Sequence, residues 1–268
     1  MMRKWKKLFI IVCALSVAYV GGLYFLQNKF LFFPDAHYVS PRESGTENFK
    51  EVMLSAEDGN PLRLWYAAGD VSKPAVLFLH GNAGQIATFA EELDVLAQHG
   101  YAVLAMEYRS FAGIPGTIRQ ETIFQDATQA FDFLKEQGYA QIVVYGYSFG
   151  AAFSAGLVSL RPADGLVLTA PFYSLDKVVG EKPVPLARWV LKDHYPSFRY
   201  LAQFTKPLLI VHGKQDRLIP YHHAEALMKA SASSDKKLYV LDGQNHHSVY
   251  FEGANLPYIL DFLKRFEK

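Results

Sequence analysis

Ile142-Val143-Val144-Tyr145-Gly146-Tyr147-Ser148-Phe149-Gly150-Ala151-Ala152-Phe153-Ser154-Ala155-Gly156 runs from an apolar stretch through G-x-S-x-G into a series of small residues. Read along the chain, it predicts a buried strand, a sharp turn with Ser148 at its tip, and a helix. Glycines on both sides of the tip suit such a turn, because its backbone is strained and two segments pass close together. A helix N-terminus behind Ser148 leaves free N–H groups near the hydroxyl, a setting that favours negative charge. The pentapeptide alone is common, and a Gly-rich turn with an incidental serine has the same letters. The strand before it and the helix after it turn the reading toward a nucleophile.

A serine hydroxyl is a weak nucleophile until a base takes its proton, and the base needs an acid to orient it. Both should follow later in the chain, at the C-terminal ends of strands. The apolar run Leu208-Leu209-Ile210-Val211 leads into His212-Gly213-Lys214-Gln215-Asp216, which makes Asp216 the orienting acid. A turn aspartate that caps the next helix is the plainer alternative, and the position after an apolar strand favours the acid. Leu238-Tyr239-Val240-Leu241 leads into Asp242-Gly243-Gln244-Asn245-His246-His247-Ser248. One of the two histidines is the expected base. His246 is preferred, with His247 the alternative. Adjacent side chains rarely converge on one ion, and Cys13 is the sole cysteine, so no metal site is expected here.

Acyl transfer builds charge on a carbonyl oxygen, which two fixed backbone N–H groups stabilise. Phe149, the residue after Ser148, is one expected donor. Leu77-Phe78-Leu79-His80-Gly81-Asn82-Ala83-Gly84 reads as a strand entering a Gly-rich loop, and Asn82 is the expected second donor. His80 reads as a residue that orders this loop. No Walker-type Lys-Ser/Thr follows the glycines, so a phosphate loop is disfavoured.

The 268 residues and a formal charge of +1 suit one large α/β domain and give no electrostatic reason to expect nucleic acid. Phe49–Leu54 and Leu62–Tyr66 flank the turn signal Glu57-Asp58-Gly59-Asn60, as in a hairpin. Ala75–Leu79, Ala102–Met106, Ile142–Tyr145, Leu166–Leu168, Leu208–Val211 and Leu238–Leu241 read as strands buried on both faces. Helical segments lie between or after them at Phe89–His99, Glu121–Gln137, Ala151–Leu160, Tyr221–Ala230 and Pro257–Phe266. The alternation predicts an α/β fold: a mostly parallel eight-stranded sheet with an antiparallel start and helices on both faces. Residues 172–204, with Pro183, Pro185 and Pro196, interrupt the rhythm. They read either as a small cap or rim with a helix over Leu186–Leu191, or as an ordinary long connection.

Arg3, Lys4, Lys6 and Lys7 precede an uncharged run from Leu8 to Leu26, which as a helix is about 28 Å long. The expected organisation is a basic cytoplasmic segment (1–7), a transmembrane signal anchor (8–26), a membrane-proximal connection (27–48) and the catalytic domain (49–268). The positive-inside rule then puts that domain on the extracytoplasmic side. Cleavage near Ser16-Val17-Ala18 is the competing reading. Val12 before Cys13 argues against a lipoprotein anchor. Phe30, Phe32, Phe33 and Pro34 suit either an interfacial exit or packing on the domain.

The order Ser148, Asp216, His246, with the His-Gly-Asn-Ala-Gly loop ahead of it, resembles the α/β-hydrolase superfamily over roughly residues 49–268. With the N-terminal anchor ending in Phe32-Phe33-Pro34, the chain looks like the small membrane-anchored hydrolases called serine aminopeptidase-like or abhydrolase. Tyr108-Arg109 with Gly113 and Gly116 resembles that group's tyrosine-arginine-glycine loop, although Ser110 stands where glycine is expected. The resemblance implies an α/β-hydrolase fold and hydrolysis without a cofactor. The expected function is a serine hydrolase, carboxylesterase-like, acting on a small acyl or lipid-like substrate. A peptidase or amidase with the same triad and a non-catalytic membrane-anchored scaffold are the alternatives.

Overall fold

The computed structural model describes residues 2–267. It begins with one long helix, α1 (Met2–Leu31), most of whose apolar side chains are exposed. This helix outruns the uncharged segment 8–26 at both ends. Strands β1 (Lys50–Ser55) and β2 (Pro61–Ala67) form an antiparallel hairpin. Its turn is closed by Ala56 and Asn60, with Gly59 at φ 82°. Strand β3 (Ala75–Leu79) is followed, after a 3-10 turn at Ile86–Phe89, by α2 (Ala90–Gln98). Then come β4 (Ala102–Met106), α3 (Gln120–Glu136), β5 (Ile142–Tyr147), α4 (Phe149–Leu157) and β6 (Gly165–Thr169). The segment after β6 holds α5 (Leu175–Gly180) and α6 (Ser197–Leu201). Strand β7 (Leu208–Gly213), α7 (His222–Ala230), β8 (Lys236–Leu241), α8 (Ser248–Phe251) and α9 (Leu256–Lys264) complete the chain.

The sheet has eight strands in the order β8-β7-β6-β5-β3-β4-β2-β1, parallel throughout except for β1 and β2. Strands β3 to β7 are buried at every position, as their unbroken apolar runs require of a sheet covered on both faces. Side chains alternate between two cores. Leu77 and Leu79 join one face with Phe131 and Phe153, while Val76 and Phe78 join the other with Phe89 and Phe262. Because these strands run parallel, the C-terminal ends of β3, β5, β7 and β8 lie along one rim, where the candidate residues lie.

Residues 172–204 differ from their predicted form. Leu186–Leu191 is not a helix; only Ala187–Trp189 makes a 3-10 turn. Leu186 holds a left-handed φ of 62°, which takes the backbone out of the right-handed helical region at the start of the expected helix. The segment's helices are instead α5 and α6, on either side of this irregular tip.

The chain leaving α1 does not run free to the sheet domain. Phe33 and Pro34 pair in parallel with Ala83 and Gly84, in the Gly-rich loop after β3. Phe32 is buried, and its ring lies 5.0 Å from that of Phe149. Of the two readings of the aromatic cluster, packing on the domain therefore describes Phe32, whereas Phe30 and Phe33 stay exposed.

Candidate active site

Ser148 sits between β5 and α4 at φ 55° and ψ −115°, a conformation that costs a residue with a side chain on the order of 1–3 kcal/mol. The turn survives because its surroundings over-determine it. A Cβ on Gly150 would lie 1.9 Å from the carbonyl oxygen of Leu79 and 2.4 Å from that of His80. Both obstacles are backbone, so only glycine lets α4 begin this close to the end of β3. Ser148 N–H donates to Thr169 O at 2.9 Å, which ties the tip to β6. The serine is 2% exposed.

Asp216 and His246 meet Ser148 as the strand order requires. His246 Nδ1 is 2.7 Å from Asp216 Oδ2, and His246 Nε2 is 3.1 Å from Ser148 Oγ. A carboxylate only accepts, so Nδ1 carries the proton and Nε2 presents its lone pair to the serine hydroxyl. His247, the alternative base, points away and is exposed, its ring stacked near Phe251. Gly213 is the reason the two loops can touch. A Cβ there would be 2.6 Å from the Gln244 carbonyl oxygen and 2.7 Å from that of Asn245.

Asp216 is fixed by more than His246. Its Oδ1 accepts the N–H groups of Leu218 (2.9 Å) and Ile219 (2.8 Å), and His212 Nε2 lies 3.2 Å from Oδ2. Burial would raise this carboxyl. The hydrogen bonds from His212, His246 and the Ile219 backbone outweigh it and hold the group well below the usual carboxylate range. Asp216 is thus ionised wherever the protein is folded at ordinary pH. His212 escaped the sequence reading. Its position at the end of β7, four residues before Asp216, was the available signal.

The two expected oxyanion donors lie on either side of Ser148. Phe149 opens α4, whose first N–H groups have no helical partner. Among the described residues, no backbone carbonyl takes the N–H of Asn82 or of Phe149. A Cβ on Gly81, next to Asn82, would be 3.7 Å from Ser148 Cβ, which sets this loop beside Ser148. The other groups of Asn82 are engaged by the end of α1. Its Nδ2 donates to Leu31 O at 2.6 Å, and its carbonyl accepts Phe33 N–H at 2.8 Å.

The loop is braced from behind as well. His80 Nε2 lies 3.0 Å from Glu107 Oε1 and Nδ1 2.8 Å from Gly81 O, while Tyr108 Oη donates to His80 O at 2.8 Å. His80 therefore orders the loop and does not face the serine. Arg109 forks onto Asp126, 2.7 Å from both Nε and Nη2, and pairs with Asp58. Ser110 takes the left-handed φ of 73° that glycine would adopt more easily, and its Oγ donates to Gly116 O at 2.8 Å. The departure from the expected glycine is thus accommodated by a local bond.

One cluster outside the rim has metal-binding residue types: Glu181, His222 and His223, with donor atoms within 4.8 Å of one another. Tyr173 N–H donates to His223 Nδ1 at 3.2 Å, so the ring proton sits on Nε2, facing Glu181 Oε2 at 3.1 Å. A cation on that nitrogen would first have to displace the proton. The arrangement is a hydrogen-bonded joint between α5 and α7.

The serine aminopeptidase family, S33, matches residues 70–203 and 198–253. The chain belongs to this family, within the α/β-hydrolase superfamily. The uncharacterized protein Rv2307c of Mycobacterium tuberculosis is 33% identical over 266 residues, covering 96% of this chain and 93% of that protein. The lysophosphatidylserine lipase ABHD12 of Rattus norvegicus is 27% identical over 241 residues, 76% of this chain and 60% of the lipase. Among solved structures, the Pyrococcus furiosus esterase Pf2001 superposes with a TM-score of 0.70 at 22% identity, covering 89% of this chain and 98% of that one. The protein is a hydrolase by family, and its fold is the α/β-hydrolase fold.

Proposed function

We propose that this hydrolase is a membrane-anchored serine enzyme that cleaves ester-type acyl substrates. The observation that carries the reading is the continuous contact from Asp216 through His246 to Ser148 Oγ. In the first half-reaction His246 Nε2 takes the hydroxyl proton while Ser148 Oγ forms a bond to the substrate carbonyl carbon. The carbonyl oxygen becomes an oxyanion between the N–H groups of Asn82 and Phe149. As the intermediate collapses, the alcohol leaves with the proton from His246, and the acyl group stays on Ser148. Water repeats the sequence and releases the acid. Asp216 holds the ring tautomer and stabilises the imidazolium without taking its proton.

An ester is preferred over a peptide because the two buried carboxylates nearest the rim are already engaged, Asp216 by His246 and Glu107 by His80. The names of the rat lipase and the Pyrococcus esterase lean the same way. The family's description as serine aminopeptidase favours the second reading, an amidase with the same triad. A panel of p-nitrophenyl esters and aminoacyl p-nitroanilides separates them. Turnover of esters at least about 100-fold above the anilides, absent in Ser148→Ala, is the expected result. Preferential cleavage of the anilides overturns the ester reading and keeps the triad.

The anchor is assigned to α1, with Arg3, Lys4, Lys6 and Lys7 at the cytoplasmic end and the hydrolase domain outside. Protease added to intact cells should then digest the domain; protection would reverse the orientation.

A further inference from the structure

A groove of about 380 Å³ separates the second half of α1 from the segment after β6. Leu23, Phe30 and Leu31 form one wall, and Val179, Val184 and Leu191 the other. Two polar residues also line it, and both turn their heads elsewhere. Gln27 Nε2 donates to Tyr24 O (2.8 Å) and Val190 O (3.2 Å), and its Oε1 accepts Lys192 N–H at 2.8 Å. Lys182 Nζ donates to Leu218 O at 2.7 Å. What remains facing the groove is hydrocarbon.

The far wall reaches into the region that the bilayer would occupy. Tyr19 Oη donates to Pro185 O at 2.9 Å, and Tyr19 lies inside the uncharged run of α1. At 1.5 Å per residue, that contact is about 10 Å along the helix from Leu26, where the run ends. The tip thus sits at the depth of an interfacially bound segment. Its side chains suit that depth. Val184 and Leu186 are exposed, and Trp189 is 70% exposed with Arg188 stacked 4.1 Å over its ring. Lys192 lies 4.6 Å over the ring of Tyr24. Exposed apolar side chains beside Trp and basic residues are what an interface between headgroups and acyl chains selects.

The inner end of the groove is the start of the active-site loop. Leu31 lines the groove, and its carbonyl oxygen accepts Asn82 Nδ2. The next residue, Phe32, packs on Phe149. A chain of packed side chains, from Leu31 through Phe32 to Phe149, therefore separates the inner end of the groove from the two expected oxyanion donors.

We infer that this groove is an acyl-chain site that opens into the membrane, so that the substrate is a long-chain lipid ester that enters sideways from the leaflet. The inference rests on the ester-hydrolase reading and names its substrate class. A chain already in the bilayer moves from one apolar setting to another, so the groove selects by fit and length and not by extraction from water. The ester at the chain's head would then arrive beside Asn82 without leaving the interface.

The test uses full-length Ser148→Ala in phosphatidylcholine vesicles with a palmitoyl ester carrying a diazirine in its chain. Irradiation should place adducts on residues 184–191 and on Leu23 and Leu31. Excess unlabelled palmitoyl ester should reduce those adducts at least five-fold, and an acetyl ester should not. Adducts on Ile10 and Ile11, which face bulk lipid, should be insensitive to either competitor. Ala187→Trp, which fills the groove, should remove the displaceable adducts; the competition stands without it if that variant misfolds. Absence of adducts at 184–191, or adducts that palmitoyl ester does not displace, overturns the inference. Because Ser148→Ala does no chemistry, the outcome is independent of hydrolysis. Groove labelling together with a wild-type Ser148 inert to fluorophosphonate would sink the hydrolase reading alone. The reverse pattern would sink the groove alone.

Discussion

Phe32→Ala is the perturbation that asks whether the anchor is a tether or a part of the active site. Phe32 is 7% exposed and packs on Phe149, between Leu31 and Phe33, which both bond Asn82. Truncating a buried Phe to Ala costs about 3–5 kcal/mol, and this site at the edge of the core belongs at about 3. A domain with about 5–15 kcal/mol of stability survives that loss. Its effect should therefore appear locally, as freedom of the two proposed oxyanion donors, Asn82 and Phe149. Outright removal of one donor costs about 3–4 kcal/mol of barrier, so a loosened donor should lower kcat roughly 10- to 100-fold. KM should change less than about three-fold, because the ground-state carbonyl uses these N–H groups far less than the oxyanion does. The assay is turnover of p-nitrophenyl acetate by the full-length protein in detergent. Phe33→Ala is the control, since Phe33 is 56% exposed and contributes its backbone alone. A Phe32→Ala protein with lowered Tm and unchanged kcat refutes the coupling, as does an equal loss in Phe33→Ala.

Three further outcomes follow from the same geometry. Burial raises the Glu92 carboxyl from 4.5 to about 8, against hydrogen bonds with Tyr145 and Asn255 that lower it. A carboxyl raised by folding stabilises fully below its unfolded pKa, and that stability is lost as pH rises through the folded one. Wild-type Tm should therefore fall between about pH 5 and 9, with a flatter profile in Glu92→Gln; parallel profiles would contradict the burial argument. His246→Ala should reduce ester turnover by at least about 1,000-fold, while His247→Ala stays within about three-fold; equal losses would unseat the assignment of the base. Gly150→Ala should yield protein that is misfolded or inactive, because its Cβ meets two backbone carbonyls; normal folding and turnover would show that the turn at Ser148 is less constrained.

The parts of the fold that were legible in the sequence share a cause. Apolar runs such as Ala75–Leu79 and Leu208–Val211 are long enough to declare burial on both faces, and the glycines around Ser148 mark a close approach that no other residue permits. Once those strands are ordered, the topology carries Asp216 and His246 to the rim beside Ser148. What was not legible depends on contacts between distant segments. The pairing of Phe33–Pro34 with Ala83–Gly84 involves two residues on each side and leaves no periodicity. Helices α5 and α6 have six and five residues, too short for a 3.6-residue pattern to emerge beside three prolines. Leu186–Leu191 reads as a helix between the prolines, but its side chains answer to α1 and an exposed tip instead of to a helical face. His212 stands four residues before Asp216, but that spacing shows a contact only once β7 and the loop after it are folded.

Whether Ser148 is the nucleophile is read most directly by intact-mass measurement after fluorophosphonate treatment. Wild-type protein should gain one adduct, mapped by peptide sequencing to Ser148, and Ser148→Ala should gain none. An adduct on another residue, or undiminished labelling of Ser148→Ala, would contradict the account.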